Sequence, residues 1–173
     1  MGPPRIAAPA PPGGQAMRAR DMDEKQDDGN GIPGTTLSLA DRLDPAEAGL
    51  LHDGLRAYNE RFAGPYDRRD LMVTARDAGG TLIGGLTGLT NWEWLYVDYL
   101  WIRDDHRRGG LGSRLLKAAE AEAVRRGCRW SRLYTYDFQA PGFYPRQGYE
   151  VWAELDGYPP GHRQIWFRKS LAA

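Results

Sequence analysis

Cysteine and histidine are scarce in this chain of 173 residues. Cys128 is its single cysteine, which excludes an intramolecular disulfide and gives no sign of an oxidising compartment. The histidines, His52, His106 and His162, are far apart in the sequence, and neither a CxxC nor an HExxH pair occurs. Because a zinc site needs clustered ligands, the sequence predicts no metal site.

Net charge and long apolar runs are also absent. The chain has 23 basic and 23 acidic residues, so no overall field attracts it to nucleic acid or to an anionic membrane. No run of about 18 apolar residues could span a bilayer, and the first residues lack the order of a signal peptide. We therefore expect a cytoplasmic protein with no nucleic-acid or membrane partner.

The beginning of the chain differs in composition from the rest. Residues 1–33 are rich in proline, glycine and charged side chains, and they contain few large apolar ones. Such a segment cannot bury enough surface to offset the entropy lost on ordering. We predict a disordered extension over residues 1–33 and one domain over residues 34–173, a length that suits a single hydrophobic core.

Three segments have helical features. Asp44 and Pro45 predict the start of a helix that runs to about residue 62. Its apolar residues recur at helical spacing and should form one buried stripe: Leu50, Leu51, Leu55, Tyr58 and Phe62. A second helix is predicted from Gly110 to a C-terminal glycine, Gly127, and a short third one over residues 140–147.

The remaining apolar segments indicate strands. They are residues 35–41, 71–75, 82–89, 95–102, 130–136, 149–154 and 164–168. A glycine-containing turn at residues 77–80 joins the second and third strands into a hairpin. The predicted order is β-α-β-β-β-α-β-α-β-β, a mixture of helices and strands within one domain.

The sequence RRGGLGS, residues 107–113, lies between a strand and a helix. The first N–H groups of a helix lack carbonyl partners, so an anion placed there can accept several hydrogen bonds. Three glycines remove side chains that would block the anion, and two arginines raise the local positive potential: Gly109, Gly110, Gly112, Arg107 and Arg108. The segment therefore predicts an anion site.

Two familiar phosphate-binding motifs do not fit this segment. A P-loop would need a lysine and a hydroxyl residue after GxxxxG, and neither follows at that spacing. A dinucleotide fingerprint would need a third glycine where Leu115 stands. A tight turn into a helix is the remaining structural alternative, but it needs one glycine and not three beside arginines.

Arg107, Gly110 and Gly112 fit the pattern (Q/R)-x-x-G-x-(G/A), and here the chain resembles the GNAT superfamily of acetyltransferases. The strand ending LWI, the long helix and the segment FYPRQGYEV follow in that superfamily's order, over about residues 35–171. The resemblance implies a single-domain α/β (α+β) fold with a mixed, splayed, mostly antiparallel sheet and helices on both faces. It also implies an acetyl-CoA-dependent N-acetyltransferase.

The resemblance further implies where acetyl-CoA binds. Its pyrophosphate would meet the junction, and its pantetheine arm would pair with main-chain groups of the preceding strand. The residues concerned are Leu100, Ile102, Arg107, Arg108, Gly109, Gly110, Leu111, Gly112 and Ser113. Asp137 stands where the family often has an asparagine that contacts pantetheine. An ionised carboxylate cannot donate a hydrogen bond, so Asp137 departs from the pattern.

Tyr144, within FYPRQGYEV, matches the tyrosine that acts as general acid in many members of the family. A phenol with a pKa of about 10 stays protonated at neutral pH and can donate its proton to a leaving thiolate. The structural alternative is a buried aromatic side chain beside Phe143.

Asp98 and Glu93 are the candidate bases. Asp98 interrupts an apolar strand, where a charge is costly unless it faces a polar cleft or a structural ion partner. Glu93 lies between Trp92 and Trp94 at a chain reversal, where it could bind a cationic amine or be a solvated turn residue.

Residues expected to contact the acceptor are Trp92, Glu93, Tyr96 and His162. Aromatic rings near carboxylates suit a cationic or aromatic amine, and a histidine can act as a base near neutral pH. The main hypothesis is acetyl transfer to a primary amine of a small molecule, an amino acid or a peptide. A noncatalytic acyl-CoA-binding module is the alternative, and a homodimer through the last strands is a further expectation.

Overall fold

The structure, a computed structural model, describes residues 34–171, so the disordered extension predicted over residues 1–33 lies outside it. The chain divides into two units at Asp44. In the described part of the first unit, residues 34–43, neither a helix nor a strand forms, and Leu37 and Leu39 are exposed. The strand predicted over residues 35–41 is therefore wrong. Alternating side chains favour a strand, but a strand also needs a partner for its backbone N–H and C=O groups.

The second unit contains two helices and six strands within the described residues. In chain order they are α1 (Pro45–Ala63), β1 (Arg69–Arg76), β2 (Leu82–Asn91), β3 (Trp94–Ile102), α2 (Leu111–Arg125), β4 (Trp130–Tyr136), β5 (Glu150–Asp156) and β6 (Arg163–Ser170). The strands form one sheet in the order β1-β2-β3-β4-β6-β5, and of its neighbouring pairs only β3 and β4 run parallel. The predicted mixed, mostly antiparallel sheet is confirmed.

The short helix predicted over residues 140–147 is reduced to a single 3-10 turn, Pro145–Gln147. Pro141 and Gly142 lie within the predicted range, where both residue types disfavour an α-helix. Gly148 ends the turn in the left-handed conformation, with φ of 84°. The segment after β4 is therefore a chain of tight turns.

Helix α1 forms where the sequence predicts it, but its packing differs. The Asp44 carboxylate caps the helix by accepting hydrogen bonds from the N–H groups of Ala46 and Glu47, at 2.8 and 3.0 Å. None of its side chains is buried. The stripe predicted to be buried is exposed, as is each of its members: Leu50, Leu51, Leu55, Tyr58 and Phe62. Helical spacing shows which residues share a face, and it does not show whether another element covers that face.

Helix α2 packs its apolar face onto one side of the sheet. Leu115, Leu116, Ala119 and Ala123 are at most 3% exposed. They belong to one core cluster with strand residues that include Leu86, Leu95, Val97, Leu133 and Phe167. Full burial of each leucine contributes about 1.5–3 kcal/mol. The core therefore lies between α2 and this face of the sheet, whereas α1 buries no side chain.

The predicted end of α2 at Gly127 is confirmed by its hydrogen bonds. The Gly127 N–H donates to the Val124 carbonyl and the Cys128 N–H donates to the Ala123 carbonyl, both at 2.9 Å. This pair of bonds is a Schellman motif, and it places Gly127 in the left-handed region at φ of 91°. Within residues 34–171, no helix is long and apolar enough to cross a membrane.

Strands β3 and β4 pair over a short distance only. Their parallel register runs from Trp94 opposite Trp130 to Tyr96 opposite Arg132, and it is not continued toward Ile102. On its other side β3 has a bulge against β2, because Thr87 lies opposite Tyr99 while Gly88 lies opposite Val97. The extra residue, Asp98, has no direct partner on β2. From the bulge to its end at Ile102, β3 therefore does not pair with β4.

Gly88 is the residue that permits this bulge. A Cβ atom added to Gly88 would collide with the carbonyl oxygen of Tyr96 on the neighbouring strand. Because that oxygen belongs to the backbone, it cannot move aside without changing the register of β3.

We expect the substitution Gly88→Ala to lower the free energy of unfolding by about 2 kcal/mol, since it forces apart two hydrogen-bonded strands. Urea denaturation measures this loss. Gly79→Ala, in the β1–β2 turn, is the matched control, because its added Cβ would meet only the Asp77 side chain at 3.4 Å. A Gly88→Ala protein as stable as the Gly79→Ala protein would contradict the assigned role of Gly88.

Candidate active site

The divergence of β3 and β4 opens a cleft of about 830 Å³. One wall consists of residues 98–102 of β3 and of the glycine junction after it. The other wall consists of residues 134–136 of β4 and parts of the segment 138–147. The cleft has the size of a small-molecule site. It therefore lies between the two strands and the helix that the sequence singled out.

A short turn, Asp104–His106, connects β3 to the junction. The Asp105 carboxylate accepts hydrogen bonds from Arg103 Nε and contacts His106 Nδ1, both at 2.7 Å, and these bonds lower the pKa of Asp105 to about 2. Arg107 pairs with Asp104 at 2.7 Å and donates from Nε to the Ile102 carbonyl at 3.2 Å. These contacts fix the path of the chain into α2.

The start of α2 exposes its backbone to the cleft. Gly110 precedes the first turn in the left-handed conformation, with φ of 76°. A Cβ atom on Gly110 would meet no described atom within 4 Å, so the space beside it is open. Residues 111–113 of the first turn line the cleft beside that space, and the first N–H groups of a helix lack carbonyl partners within it. An anion can therefore approach the positive end of α2.

Gly112 lines the cleft and also has a packing role. A Cβ atom on Gly112 would lie 3.1 Å from Ile102 Cδ1 and 3.4 Å from the Phe143 ring. The missing side chain lets Phe143 pack directly on the first turn of α2. This contact joins the two walls at the base of the cleft. Gly109, also predicted to bind, is not among the described residues that line the cleft.

Three arginines line the cleft: Arg107, Arg108 and Arg146. Arg107 is held by Asp104 and the Ile102 carbonyl. Arg108 and Arg146 form no ion pair with any residue between 34 and 171. Sequence reasoning missed Arg146, although it follows Tyr144 by two residues in FYPRQGYEV. Its position on the wall opposite α2 depends on how the turns after β4 fold.

The backbone of β3 presents hydrogen-bonding groups to the cleft. The Arg103 N–H donates to the Ile83 carbonyl of β2 at 2.9 Å. Because neighbouring residues of a strand point their backbone groups to opposite sides, Leu100 and Ile102 point theirs away from β2 and toward β4. Both residues line the cleft, and the β3–β4 register does not reach them. Because Arg107 Nε already donates to the Ile102 carbonyl, a ligand with amide groups can pair with the Leu100 backbone and the Ile102 N–H.

Tyr144 lies in the middle of the second wall. Its side chain packs against Phe143, Tyr149 and Phe167, with ring centroids 5.1, 6.1 and 5.4 Å away, and the residue is 8% exposed. Its hydroxyl has no hydrogen-bond partner among residues 34–171, although Tyr144 lines the cleft. Burial raises the pKa of Tyr144 to about 12. The phenol is therefore a protonated donor at neutral pH.

Asp98 belongs to the lining of two cavities. Besides the cleft, a second cavity of about 480 Å³ lies along β1, β2 and β3; it is lined by Arg68, Asp70, Leu71, Met72, Thr87, Gly88, Leu89, Tyr96 and Asp98. Asp98 forms no ion pair with any described residue. Its charge instead acts on nearby phenols: burial raises the pKa of Tyr96 and of Tyr134, and the Asp98 carboxylate raises both further. The two cavities meet at this carboxylate.

Trp92 and Glu93 lie away from both cavities. They form the tip of the β2–β3 hairpin, where both residues have positive φ, 45° and 62°. The Trp92 Nε1–H donates to the Pro65 carbonyl at 3.2 Å, and the exposed Glu93 carboxylate lies 3.9 Å from Arg129. Asp98 lies five positions after Glu93, a distance of about 17 Å along an extended strand. Among Trp92, Glu93 and Tyr96, which were predicted to contact the acceptor, only Tyr96 lines the second cavity.

Asp137 and His162 contact each other and not the cleft. Asp137 Oδ1 lies 3.0 Å from His162 Nδ1, and Asp137 Oδ2 accepts a hydrogen bond from the Arg163 N–H at 3.2 Å. These bonds tie the end of β4 to the start of β6. Neither residue is among the described residues that line either cavity. Phe138, next to Asp137, lines the cleft and contacts the His162 ring at 4.8 Å.

Metal ligation and thiol chemistry have little support among the described residues. Within residues 34–171, no three histidine, cysteine, aspartate or glutamate side chains are grouped so that they could hold a metal ion. Cys128 is buried, and burial raises the pKa of its thiol. A protonated, buried thiol is a poor nucleophile.

Comparison with known proteins relates this geometry to a family. The family described as "Acetyltransferase (GNAT) family" matches residues 39–149. Blasticidin-S acetyltransferase of Streptomyces morookaense is 53% identical over 83 residues, which are 47% of this chain and 61% of that protein. The chain thus spans less than two thirds of the length of that relative.

Two further similarities extend over more of the chain. An acetyltransferase of Agrobacterium fabrum is 34% identical over 131 residues, which are 76% of this chain and 96% of that protein. The crystal structure of an acetyltransferase from Bacillus cereus has a TM-score of 0.70 and 28% identity, and the match covers 77% of this chain and 97% of that one. The chain belongs to the GNAT family of acetyltransferase enzymes.

Proposed function

We propose that this protein transfers an acetyl group from acetyl-CoA to a primary amine of a small molecule. The observation that carries the proposal is the meeting of two cavities at Asp98. A donor in the cleft and an acceptor in the second cavity would have their reactive groups side by side. Such proximity lowers the barrier to direct attack without a covalent enzyme intermediate.

The cleft fits acetyl-CoA in charge and in backbone chemistry. Its arginines and the start of α2 form one end, and Asp98 lies at the other. The pyrophosphate would accept hydrogen bonds from the N–H groups of residues 111–113, and the pantetheine arm would pair with Leu100 and Ile102 as an added strand does. When bound, acetyl-CoA supplies the activated acetyl thioester.

Tyr144 and Asp98 would move the protons of the reaction. The amine nitrogen forms a bond to the acetyl carbon as the carbon–sulfur bond breaks. The Asp98 carboxylate holds the acceptor as an ammonium ion and takes one of its protons, so that the neutral amine attacks. The second proton that the nitrogen loses after the new bond forms goes to solvent water. The Tyr144 phenol, which its pKa of about 12 keeps protonated at neutral pH and which has no hydrogen-bond partner among residues 34–171, donates its proton to the leaving sulfur.

The second cavity favours a class of acceptor. Arg68 and Asp70 pair with each other at 3.0 Å, which leaves Asp98 as the charged lining residue without an ion partner among residues 34–171. Met72, Leu89 and the Tyr96 ring provide apolar surface between them. A cationic amine with an apolar body suits this lining, since its charge faces Asp98 and its body meets apolar groups.

Thiol release from acetyl-CoA in the presence of a panel of amines tests the proposal. Blasticidin S is the first acceptor to try, because the relative that is 53% identical over 83 residues is named for its acetylation. Binding of CoA without thiol release for any amine would favour a noncatalytic CoA-binding module. Failure to bind CoA would overturn both functions. Cytoplasmic location and a homodimer stay predictions.

We expect the substitution Gly110→Ala to weaken CoA binding about tenfold, because its Cβ strains the left-handed backbone and fills the space in front of the α2 N–H groups. Calorimetric titration measures the affinity. Gly127→Ala is the matched control, since Gly127 is also left-handed, with φ of 91°, but lies at the other end of α2. It should lose about 1 kcal/mol of stability and keep its CoA affinity. Equal CoA affinities in the two variants would contradict pyrophosphate binding at the start of α2.

For Tyr144→Phe we expect kcat to fall about 100-fold while CoA affinity is kept, because only the proton donor is removed. Steady-state rates at saturating substrates measure this. Since burial raises the pKa of Tyr144 to about 12, wild type and variant should share the same kcat profile shape from about pH 6 to pH 10. Tyr149→Phe is the control: it removes the 2.7 Å bond to Ser131, lowers stability by about 1 kcal/mol and leaves kcat unchanged. An unchanged kcat in Tyr144→Phe would exclude the acid role.

For Asp98→Asn we expect kcat/KM for cationic amines to fall about tenfold or more, because the amide keeps the shape and loses the charge. The KM for acetyl-CoA should stay the same, since Asp98 lies at the far end from the arginines. Asp70→Asn, in the same cavity but paired with Arg68, is the control and should change kcat/KM little. Equal effects of the two substitutions would count against Asp98.

A further inference from the structure

We propose that Arg146 binds the 3′-phosphate of CoA, so that the protein distinguishes CoA from dephospho-CoA. This inference rests on the proposed function, because it names a further contact within the same cleft. It concerns a residue on the wall opposite α2, outside the glycine junction.

The charges of the cleft are unevenly distributed. Asp98 is the one carboxylate in the described lining, and it lies on the bulge of β3. The arginines belong to the junction after β3 and to the turn after Tyr144. Acetyl-CoA is charged at one end only, with its anionic phosphates there and an uncharged thioester at the other end. Its phosphates therefore belong at the arginine end.

The start of α2 cannot serve every phosphate of CoA. A helix start offers only the first few N–H groups, and here those of residues 111–113 line the cleft. A pyrophosphate occupies these groups. Arg107 is held by Asp104 and by the Ile102 carbonyl. The 3′-phosphate, on the ribose and not in the pyrophosphate, needs a cation of its own.

Arg146 is placed to be that cation. The Phe143 ring packs on Gly112, which fixes the following turn close to the first turn of α2. Arg146 lies three residues further on, in the turn Pro145–Gln147. The Gly148 N–H donates to the Pro145 carbonyl at 3.0 Å and the Tyr149 N–H donates to the Tyr144 carbonyl at 3.1 Å, so the turn is held at both ends.

The side chain of Arg146 stays at the rim of the cleft. Its Nη1 lies 3.6 Å from where a Cβ atom of Gly142 would be, so the guanidinium follows the rim and does not enter the core. Arg146 is exposed and lines the cleft, and within residues 34–171 it has no acidic partner. An arginine offers a planar set of donors to a phosphate. The solvent edge of the cleft is where a ribose phosphate would lie.

We expect a different effect from the loss of Arg108. It precedes Gly110 at the helix start, in the left-handed conformation with φ of 66°. From there it meets the pyrophosphate, which CoA and dephospho-CoA have in common. Loss of Arg108 should therefore weaken both ligands, whereas loss of Arg146 should weaken CoA alone.

Calorimetric titration with CoA and with dephospho-CoA tests the proposal, and it requires neither an acceptor nor turnover. We expect the wild-type protein to bind CoA about tenfold more tightly than dephospho-CoA. In Arg146→Gln the two affinities should become nearly equal through weaker CoA binding, and Arg146→Lys should restore part of the difference. In Arg108→Gln both affinities should fall by similar factors. Arg114→Gln, on α2 but outside the described cleft lining, should change neither.

The outcomes separate this proposal from the proposed function. A CoA preference that is unchanged in Arg146→Gln, or absent in the wild-type protein, overturns the role of Arg146 and leaves acetyl transfer intact. The same holds if Arg108→Gln loses the preference and Arg146→Gln keeps it. If the wild-type protein binds neither ligand, the proposed function fails together with this inference.

Discussion

The early end of hydrogen bonding between β3 and β4 is the constraint on which the site depends. Pairing stops after Tyr96 and Arg132, so the backbone of Leu100 and Ile102 is left facing a gap in the middle of a sheet. The Ile102 carbonyl accepts a hydrogen bond from Arg107 Nε, and the other backbone groups at the gap need water or a ligand as a partner. The gap is therefore where the proposed pantetheine pairing would add to the sheet. The adjacent bulge moves Asp98 out of register and presents it to two cavities.

The gap stays open because the rest of the unit holds its walls apart. Leucine and alanine side chains of α2 pack on one face of the sheet. This packing fixes the position of the glycine junction at the start of the helix. Gly112 receives the Phe143 ring, which sets the distance between α2 and the wall that carries Tyr144. In the proposed reaction, the helix start would supply N–H donors, the strand would supply amide partners and the buried phenol would supply a proton. All three groups are fixed by core packing before any ligand binds.

Much of this arrangement could be predicted from the sequence, because local chemistry determines it. Gly110 and Gly127 are glycines because both positions are left-handed, and the sequence placed both at ends of the same helix. Asp44 caps α1 through its own backbone neighbours. Predictions that required a distant partner were less successful. The strand expected over residues 35–41 did not form, and the stripe of α1 expected to be buried is exposed.

The sequence by itself determined α1, α2, the six strands of the sheet, their order and the family, since each rests on neighbouring residues and their spacing. Only the tertiary structure decided which side chains meet. Glu93 and Asp98 are equally plausible bases in the sequence, yet the hairpin tip places Glu93 outside both cavities and the bulge places Asp98 in both. Arg146 became a cleft residue only through the contact of Phe143 with Gly112. The physical reason is that strand pairing and helix packing bring together residues far apart in the chain, and spacing within one segment carries no information about that.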